Sequence, residues 1–280
     1  MKLSIIMPVY NSQETIEAAI RSVITQNVFD VLELIVIDGG STDNTMSIVE
    51  KYKENIYFYL SEKDNGYADA LNKGIKVATG DFVMMLAADD RILPGAIEKI
   101  MSTIKADTDV WCGMIIEQMS YGYRFNISDN DLSKLYHECT LRHPATLFRR
   151  ELFLRFGGYD TTYKCAADRE IFLRFYTKGA KFQIEKIPVV LFSMNGMSIN
   201  DPTKLAIPEN HRISMQYGLN VEQADIDMQN ELLRVKKINN SVGMKNFLAK
   251  MGVLPIMYKL AGKPDGCLSK SLLMELGIMI

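Results

Sequence analysis

Over its first hundred residues the chain alternates between two hydrophobic periods, and this alternation limits its fold more than any other feature. Leu3 to Val9 is a continuous apolar run of strand length, and from Gln13 to Thr25 the apolar residues Ile16, Ala19, Ile20, Val23 and Ile24 recur at helical spacing. The beat then repeats. Val31 to Ile37 is a second strand, followed by cap chemistry at Ser41, Thr42 and Asp43 for a helix through Tyr52. Ile56 to Leu60, a helix over Tyr67 to Ala78, a strand from Asp81 to Ala88 and a helix from Pro94 to near Ile104 complete the series. Strands that are apolar throughout belong to a parallel sheet covered on both faces. A doubly wound α/β unit is therefore expected at residues 1 to about 105.

Beyond Asp109 the alternation loosens. Strands are expected at Val110 to Glu117 and Tyr121 to Ile127 around a turn, then at Thr146 to Phe148, Phe182 to Ile184 and Val189 to Ser193. Helices are expected at Arg150 to Phe156 and Ala166 to Lys178, and after about residue 205 the pattern is helical only. Trp111, the single tryptophan, lies in an apolar strand and is expected in the core rather than on a sugar ring.

Composition narrows the class. The 280 residues carry 32 Lys+Arg against 34 Asp+Glu, a formal charge of −2, which removes any whole-chain argument for nucleic-acid binding. A chain this long buries roughly 75% of the surface its unfolded form exposes, so it needs no disulfide or structural metal to fold. Cys112, Cys139, Cys165 and Cys267 are scattered, without a C-x-x-C pair, and read as reduced thiols in a cytoplasmic protein. Pro8, Tyr10 and Asn11 break the N-terminal apolar run before a signal-peptide core forms, and no stretch reaches the ~18 apolar residues of a membrane span.

Ligands of open α/β sheets bind outside the carboxyl ends of the strands. Strand one ends in Pro8-Val9-Tyr10-Asn11, strand two in Asp38-Gly39-Gly40, strand three leads to Asp64-Asn65-Gly66, and strand four ends in Ala88-Asp89-Asp90. A lone Asp-Gly is most often an ordinary turn. Several carboxylates converging on one edge repel unless a cation or donor groups lie between them, and hard divalent cations favour such oxygens. No G-x-x-x-x-G-K-[ST] is present, and the first strand-helix turn, PVYNSQE, is no G-x-G-x-x-G, which argues against a P-loop and a Rossmann dinucleotide site.

The segments SIIMPVYN, ELIVIDGGSTDNT and DNGYADALNKGIKVATGDFVMMLAADD resemble the N-terminal motifs of family 2 glycosyltransferases, which have the GT-A fold. HPATLFRRELFLRFGGYD and AADREIFLR resemble the second half of bacterial members that build surface polysaccharides, so the likeness covers roughly residues 3 to 195. It implies a GT-A catalytic domain over 1–205, with a nucleotide-binding half at 1–105 and an acceptor half at 106–205; the helical pattern and basic charge that follow mark a C-terminal extension at 206–280. It further implies that Pro8, Tyr10 and Asn11 line a uracil pocket, that Asp38 accepts from the base N–H, and that Asp64 and Asp69 stand on the donor side. For Asp69 a solvated helix position is an equal reading. The family's D-x-D element falls on Ala87-Ala88-Asp89, without its first acid; Asp89 is then implied to hold Mn²⁺ or Mg²⁺, with Asp90 beside it.

Asp168 matches the catalytic base of inverting members, although Ala167 stands where the family often has an acid. First-turn helix chemistry is compatible with that role. His143 is implied as an acceptor or diphosphate contact, against the plainer reading of a satisfied core histidine. The implied activity is transfer from a UDP-linked donor to a glycan or polyprenyl-diphosphate-linked acceptor. Transfer to a bare polyprenyl phosphate, or sugar-nucleotide binding without catalysis, are the rival readings.

Residues 231–280 hold eight Lys+Arg and three acids, a net of +5, which leaves −7 on the first 230 residues. Basic residues interleaved with MGVLPIMYKL and SLLMELGIMI suit interfacial helices on the anionic inner face of a cell membrane. Helices that pack on the catalytic domain, or that form a homodimer contact, are the alternatives.

Overall fold

The computed structural model describes residues 1–26, 28–119, 122–193, 205–234, 268 and 270–278. The four apolar runs of the first half are strands β1 (Leu3–Val9), β2 (Leu32–Asp38), β3 (Phe58–Ser61) and β4 (Phe82–Met85). Helices α1 (Ile16–Ile24), α2 (Thr45–Lys51) and α3 (Tyr67–Val77) alternate with them. A two-residue strand β5 (Arg91–Ile92) precedes α4 (Ala96–Thr103). The second half comprises β6 (Val110–Met119), β7 (Gly122–Ile127), β8 (Thr146–Arg149), α5 (Arg150–Phe156), α6 (Ala167–Thr177) and β9 (Phe182–Ser193).

The described strands form one sheet in the order β3-β2-β1-β4-β8-β6-β9-β5, with β7 on β6. β3, β2, β1 and β4 are all parallel, as βαβ crossovers require, whereas β8 joins β4 and β6 antiparallel. The chain winds outward from β1 in both directions, which opens a crevice at the carboxyl ends of β1 and β4. Alternating side chains feed two cores. Leu3, Ile5, Met7 and Val9 pack with α1 and α4 on one face, and Ile6 packs with α3, α5 and α6 on the other. Trp111 is fully buried in the first core, as expected.

Two departures bear on the site. The strand expected to reach Ala88 stops at Met85, so Asp89 and Asp90 lie on a turn beyond it. The two short strands expected after residue 181 are one continuous β9, paired parallel to β6. Pro188, which has no N–H to give a ladder, sits where the β6–β9 register shifts around Met114.

After residue 205 the described elements are helical: Ala206–Gln216, residues 221–234 and Lys270–Glu275. Leu268 and Leu273 are buried in the first core, and Leu268 N donates to Tyr123 O at 2.8 Å. This end of the tail therefore docks on the domain instead of presenting its leucines to a membrane. The basic stretch 235–267 lies outside the described residues. Among the described residues no helix is long and apolar enough to cross a membrane.

Candidate active site

Two cavities open side by side along the carboxyl edge of the parallel strands. The first, of about 480 Å³, is lined by Pro8, Tyr10, Gly39, Lys63, Asp64 and Tyr67 among others. Tyr10 offers a 62% exposed ring just past β1. Asn11 turns the chain there with φ 48°, a left-handed conformation that asparagine tolerates. Its Oδ1 accepts from Thr42 N at 2.8 Å, while its own N–H donates to Ser41 Oγ at 2.8 Å, so the β1 and β2 exits are tied together. The Asp64 carboxylate leans on Gly39, where a Cβ would come within 2.7 Å of Oδ2, and Oδ1 accepts from Gly66 N at 2.8 Å.

Asp38 departs from its expected place. Its side chain is fully buried, and its two oxygens accept from Gly40 N, from Ser41 N and Oγ, and from Ser61 Oγ at 2.6 Å. A carboxylate so engaged organises the β2 and β3 exits, and both of its oxygens already accept from the protein's own donors. Asp69 likewise follows the plainer reading: it accepts from Asn65 N at 3.1 Å, pairs with Lys73 at 3.7 Å and lines neither cavity.

The second cavity, of about 460 Å³, brings together Asp89 and Asp90 from the turn beyond β4, His143 from a single 3-10 turn before β8, and Asp168 from α6. Asp168 stands in the first turn of α6. Its Oδ1 accepts from Arg169 N at 2.7 Å, and the Cys139 thiol lies 3.9 Å from Oδ2. Burial raises the Asp168 pKa above the usual range, opposed by the Arg169 N–H and the Arg169 and Arg142 charges. Asp90 is almost fully buried. Its Oδ1 accepts from Ser193 N at 2.9 Å, whereas Oδ2 is buried without a donor, and burial pushes its pKa well up. His143 is packed against Phe148, Tyr159 and Phe172, with Nε2 2.7 Å from Tyr159 Oη. Burial lowers its pKa to about 4, so at neutral pH it is an uncharged core residue with one edge on the cavity and brings no positive charge to a diphosphate.

Among the described residues no three His, Cys, Asp or Glu side chains form a metal cage. The expected convergence of strand-exit acids is thus divided: Asp38 is consumed by its loop, Asp64 lines one cavity, and Asp89 with Asp90 lines the other. Asp89 on the cavity wall and the orphaned Oδ2 of Asp90 do suit a hard cation held by one or two carboxylates and otherwise by phosphate and water.

The model of glycosyl transferase family 2 matches residues 4–173. This chain belongs to that family. It is 32% identical over 191 residues to an uncharacterized glycosyltransferase of Rickettsia typhi, covering 62% of this chain and 58% of the relative. A PGL/p-HBAD biosynthesis glycosyltransferase of Mycobacterium tuberculosis is 31% identical over 183 residues, covering 63% of this chain and 70% of its own length. The chain thus spans little more than half to about two thirds of these relatives. Among solved structures, S. aureus TarS in complex with UDP-GlcNAc superposes with a TM-score of 0.64 at 20% identity, covering 88% of this chain and 75% of that one. A mannosyltransferase from Pyrobaculum calidifontis with GDP-Man and Mn²⁺ gives 0.60 at 18% identity, covering 99% and 83%. These likenesses establish the GT-A fold for this family 2 chain.

The family motifs named the acids but missed their partners. Tyr67 lines both cavities, and burial together with the Asp90, Asp168 and Asp89 charges pushes its phenol pKa up. Arg142 and Lys164 add cations to the wall of the acid cavity, and Arg142 Nε is buried without an acceptor. Tyr67, one residue after Gly66 at the start of α3, carried a positional signal. Arg142 and Lys164 sit in irregular segments and carried none.

Proposed function

We propose that the chain is an inverting, metal-dependent glycosyltransferase that moves a sugar from a UDP-linked donor onto a glycan or polyprenyl-diphosphate-linked acceptor in bacterial surface-polysaccharide assembly. The observation that carries this reading is the sharing of one cavity by Asp168, Asp89 and Asp90, joined through Tyr67 to the cavity at the β1 exit. The neighbours' complexes with UDP-GlcNAc, and with GDP-Man and Mn²⁺, support the donor class and the metal.

Pro8, Tyr10 and Asn11 shape the nucleoside side, and Asp64 takes the polar contact first assigned to Asp38. Asp89, with Asp90, would hold Mn²⁺ or Mg²⁺, which when bound offsets the charge of the departing diphosphate. Arg142 and Lys164, lining the same cavity, offer cations to that charge. Asp168 takes the proton of the acceptor hydroxyl as that oxygen bonds to the anomeric carbon. The bond from that carbon to the diphosphate oxygen breaks on the other face, and configuration inverts. A carboxyl pKa raised by burial makes Asp168 a stronger base than an exposed carboxylate.

Asp168→Asn should therefore bind UDP like the parent and lose transfer by roughly 10²-fold or more. Binding is read by thermal shift with nucleotide sugars, with and without Mn²⁺, and transfer by donor turnover; parental turnover removes Asp168 as base. Ala87 and Ala167, where the family carries acids, keep a binding-only protein as the second reading. Mn²⁺-dependent UDP binding without turnover for any acceptor would favour it.

A further inference from the structure

Helix α6 begins at Ala167 with Ala166 as its N-cap, a residue with no side chain to cap it. Another element instead holds the three residues just ahead of the helix. Glu209, on the helix Ala206–Gln216, accepts from Lys164 N at 2.7 Å through Oε1, and from Cys165 N at 2.8 Å and Ala166 N at 2.9 Å through Oε2. The same helix meets the two preceding residues. Tyr163 Oη donates to Gln216 Oε1 at 2.7 Å, and Arg212 lies 3.9 Å from the Tyr163 ring while donating to Thr162 Oγ1 at 3.2 Å. Arg169, fully buried beside Asp168, reaches back. It donates to Asn210 O at 2.6 Å and Ser214 Oγ at 2.8 Å on that helix, and to Leu135 O at 3.0 Å and Tyr136 O at 2.6 Å. Tyr163, Lys164, Cys165, Ala167 and Asp168 are the residues by which this stretch lines the acid cavity.

We infer that Glu209 and Arg169 are positioning residues through which the helix Ala206–Gln216 sets Asp168 against the acceptor hydroxyl. The inference rests on the proposed role of Asp168 as base. Two features set this apart from ordinary packing. A carboxylate accepting three backbone N–H groups makes charge-assisted bonds that fix the loop leading into α6. Arg169 has carbonyls and a hydroxyl for partners, so its charge is not cancelled by a hydrogen-bonded carboxylate and acts on the neighbouring Asp168. The other titratable groups around Asp168 are Arg142, Cys139 and His143 before β8, Lys164 and Cys165 ahead of α6, Tyr67 of α3, Tyr159, Asp89 and Asp90 beyond β4, and Glu117 of β6 across the cavity.

Misplacing a reacting group by a fraction of its contact distance costs rate more than affinity. Glu209→Gln turns one acceptor oxygen into a donor facing N–H groups. It should lower kcat about tenfold or more, with the KM for nucleotide sugar and the Kd for UDP within about twofold of the parent. Arg169→Met should in addition move the acid limb of kcat/KM to higher pH, because the cation that favours ionised Asp168 is gone, and Arg169→Lys should move it back. Parental kcat in Glu209→Gln, or equal losses of kcat and UDP affinity, would overturn the inference. So would an unmoved acid limb in Arg169→Met. Should Arg169→Met fail to fold by circular dichroism, the kcat-against-KM split of Glu209→Gln decides alone. Full transfer by Asp168→Asn would remove the base and this inference together, whereas an inactive Asp168→Asn beside a parental Glu209→Gln removes the inference only.

Discussion

His143 shows what burial does to a single residue in this cleft. Packed among three aromatic rings and bonded to Tyr159, it has its pKa lowered to about 4, while in the unfolded chain it titrates near the ordinary 6.5. As pH falls below about 6.5 the unfolded chain takes the proton first and the native one resists, so stability is full above that value and is lost between it and about 4. The gap corresponds to a loss of roughly 3 kcal/mol at most. Urea unfolding of the parent and of His143→Gln at pH 7.5 and 4.5 measures it. The variant should lose less stability on acidification, and an equal loss in both proteins would contradict the assignment. The residue scale also shows what a one-dimensional pattern can carry. Asp89 was legible because hydrophobic period marks a strand end locally, whereas Asp168 was carried by the likeness of AADREIFLR to the family's motif. Asp38 shared that mark, yet its role depended on Ser41 and Ser61 arriving from two other segments. Glu209 was invisible for the same reason: its partners lie more than forty residues away.

Elements that pack by period were read closely, and those held by polar ties were not. β1 and α5 fall where the sequence places them. β9 was divided in two because Glu185, Lys186 and Pro188 interrupt its apolar pattern, and only its pairing along β6 reveals the continuity. A polar tie of another kind binds β1, β2 and the turn before β4. Glu33, opposite Ser4 in the ladder and nearly fully buried, accepts from Ser4 Oγ at 2.6 Å and from Thr79 N at 3.1 Å, and pairs with Lys2. Gly80 follows without room for a side chain, since a Cβ would stand 2.7 Å from Ser4 N. Burial alone would raise the Glu33 pKa; the donors from Lys2, Ser4 and Thr79 outweigh it and hold it at about 2. This tie therefore stabilises the sheet fully above about pH 4.5 and is lost as pH falls toward 2. Glu33→Gln should cost about 1–3 kcal/mol at pH 7 and far less at pH 2.5. Chemical denaturation at the two pH values reads the difference, and a cost independent of pH would mean that the charge contributes nothing.

At the scale of the whole molecule, the helical pattern after about residue 205 and the +5 carried by residues 231–280 suggested a catalytic domain with a basic appendage. The packing ties the two together on both faces of the sheet. Ile213 of the helix Ala206–Gln216 is buried in the core beneath α3, α5 and α6, while Leu268 and Leu273 are buried in the opposite core beneath α1 and α4. Hydrophobic period alone cannot show this, because it marks which face of a helix is apolar and not which surface that face meets. Both contacts should behave as parts of one cooperative unit. Leu273→Asp places a charge in an apolar core and should cost about 2–5 kcal/mol, lowering the melting temperature by roughly 5–15 °C. Well below that temperature UDP binding should be unchanged, since Leu273 lies across the sheet from α3, whose Tyr67 lines both cavities. A chain ending at residue 205 loses Glu209 and Ile213 as well, and should lose both stability and UDP-sugar turnover. Calorimetry and donor turnover on the parent, Leu273→Asp and the shortened chain separate the two contributions. An unchanged melting temperature in Leu273→Asp would show the C-terminal helix to be undocked, and parental turnover by the 205-residue chain would show the catalytic unit to be complete without the helices that follow it.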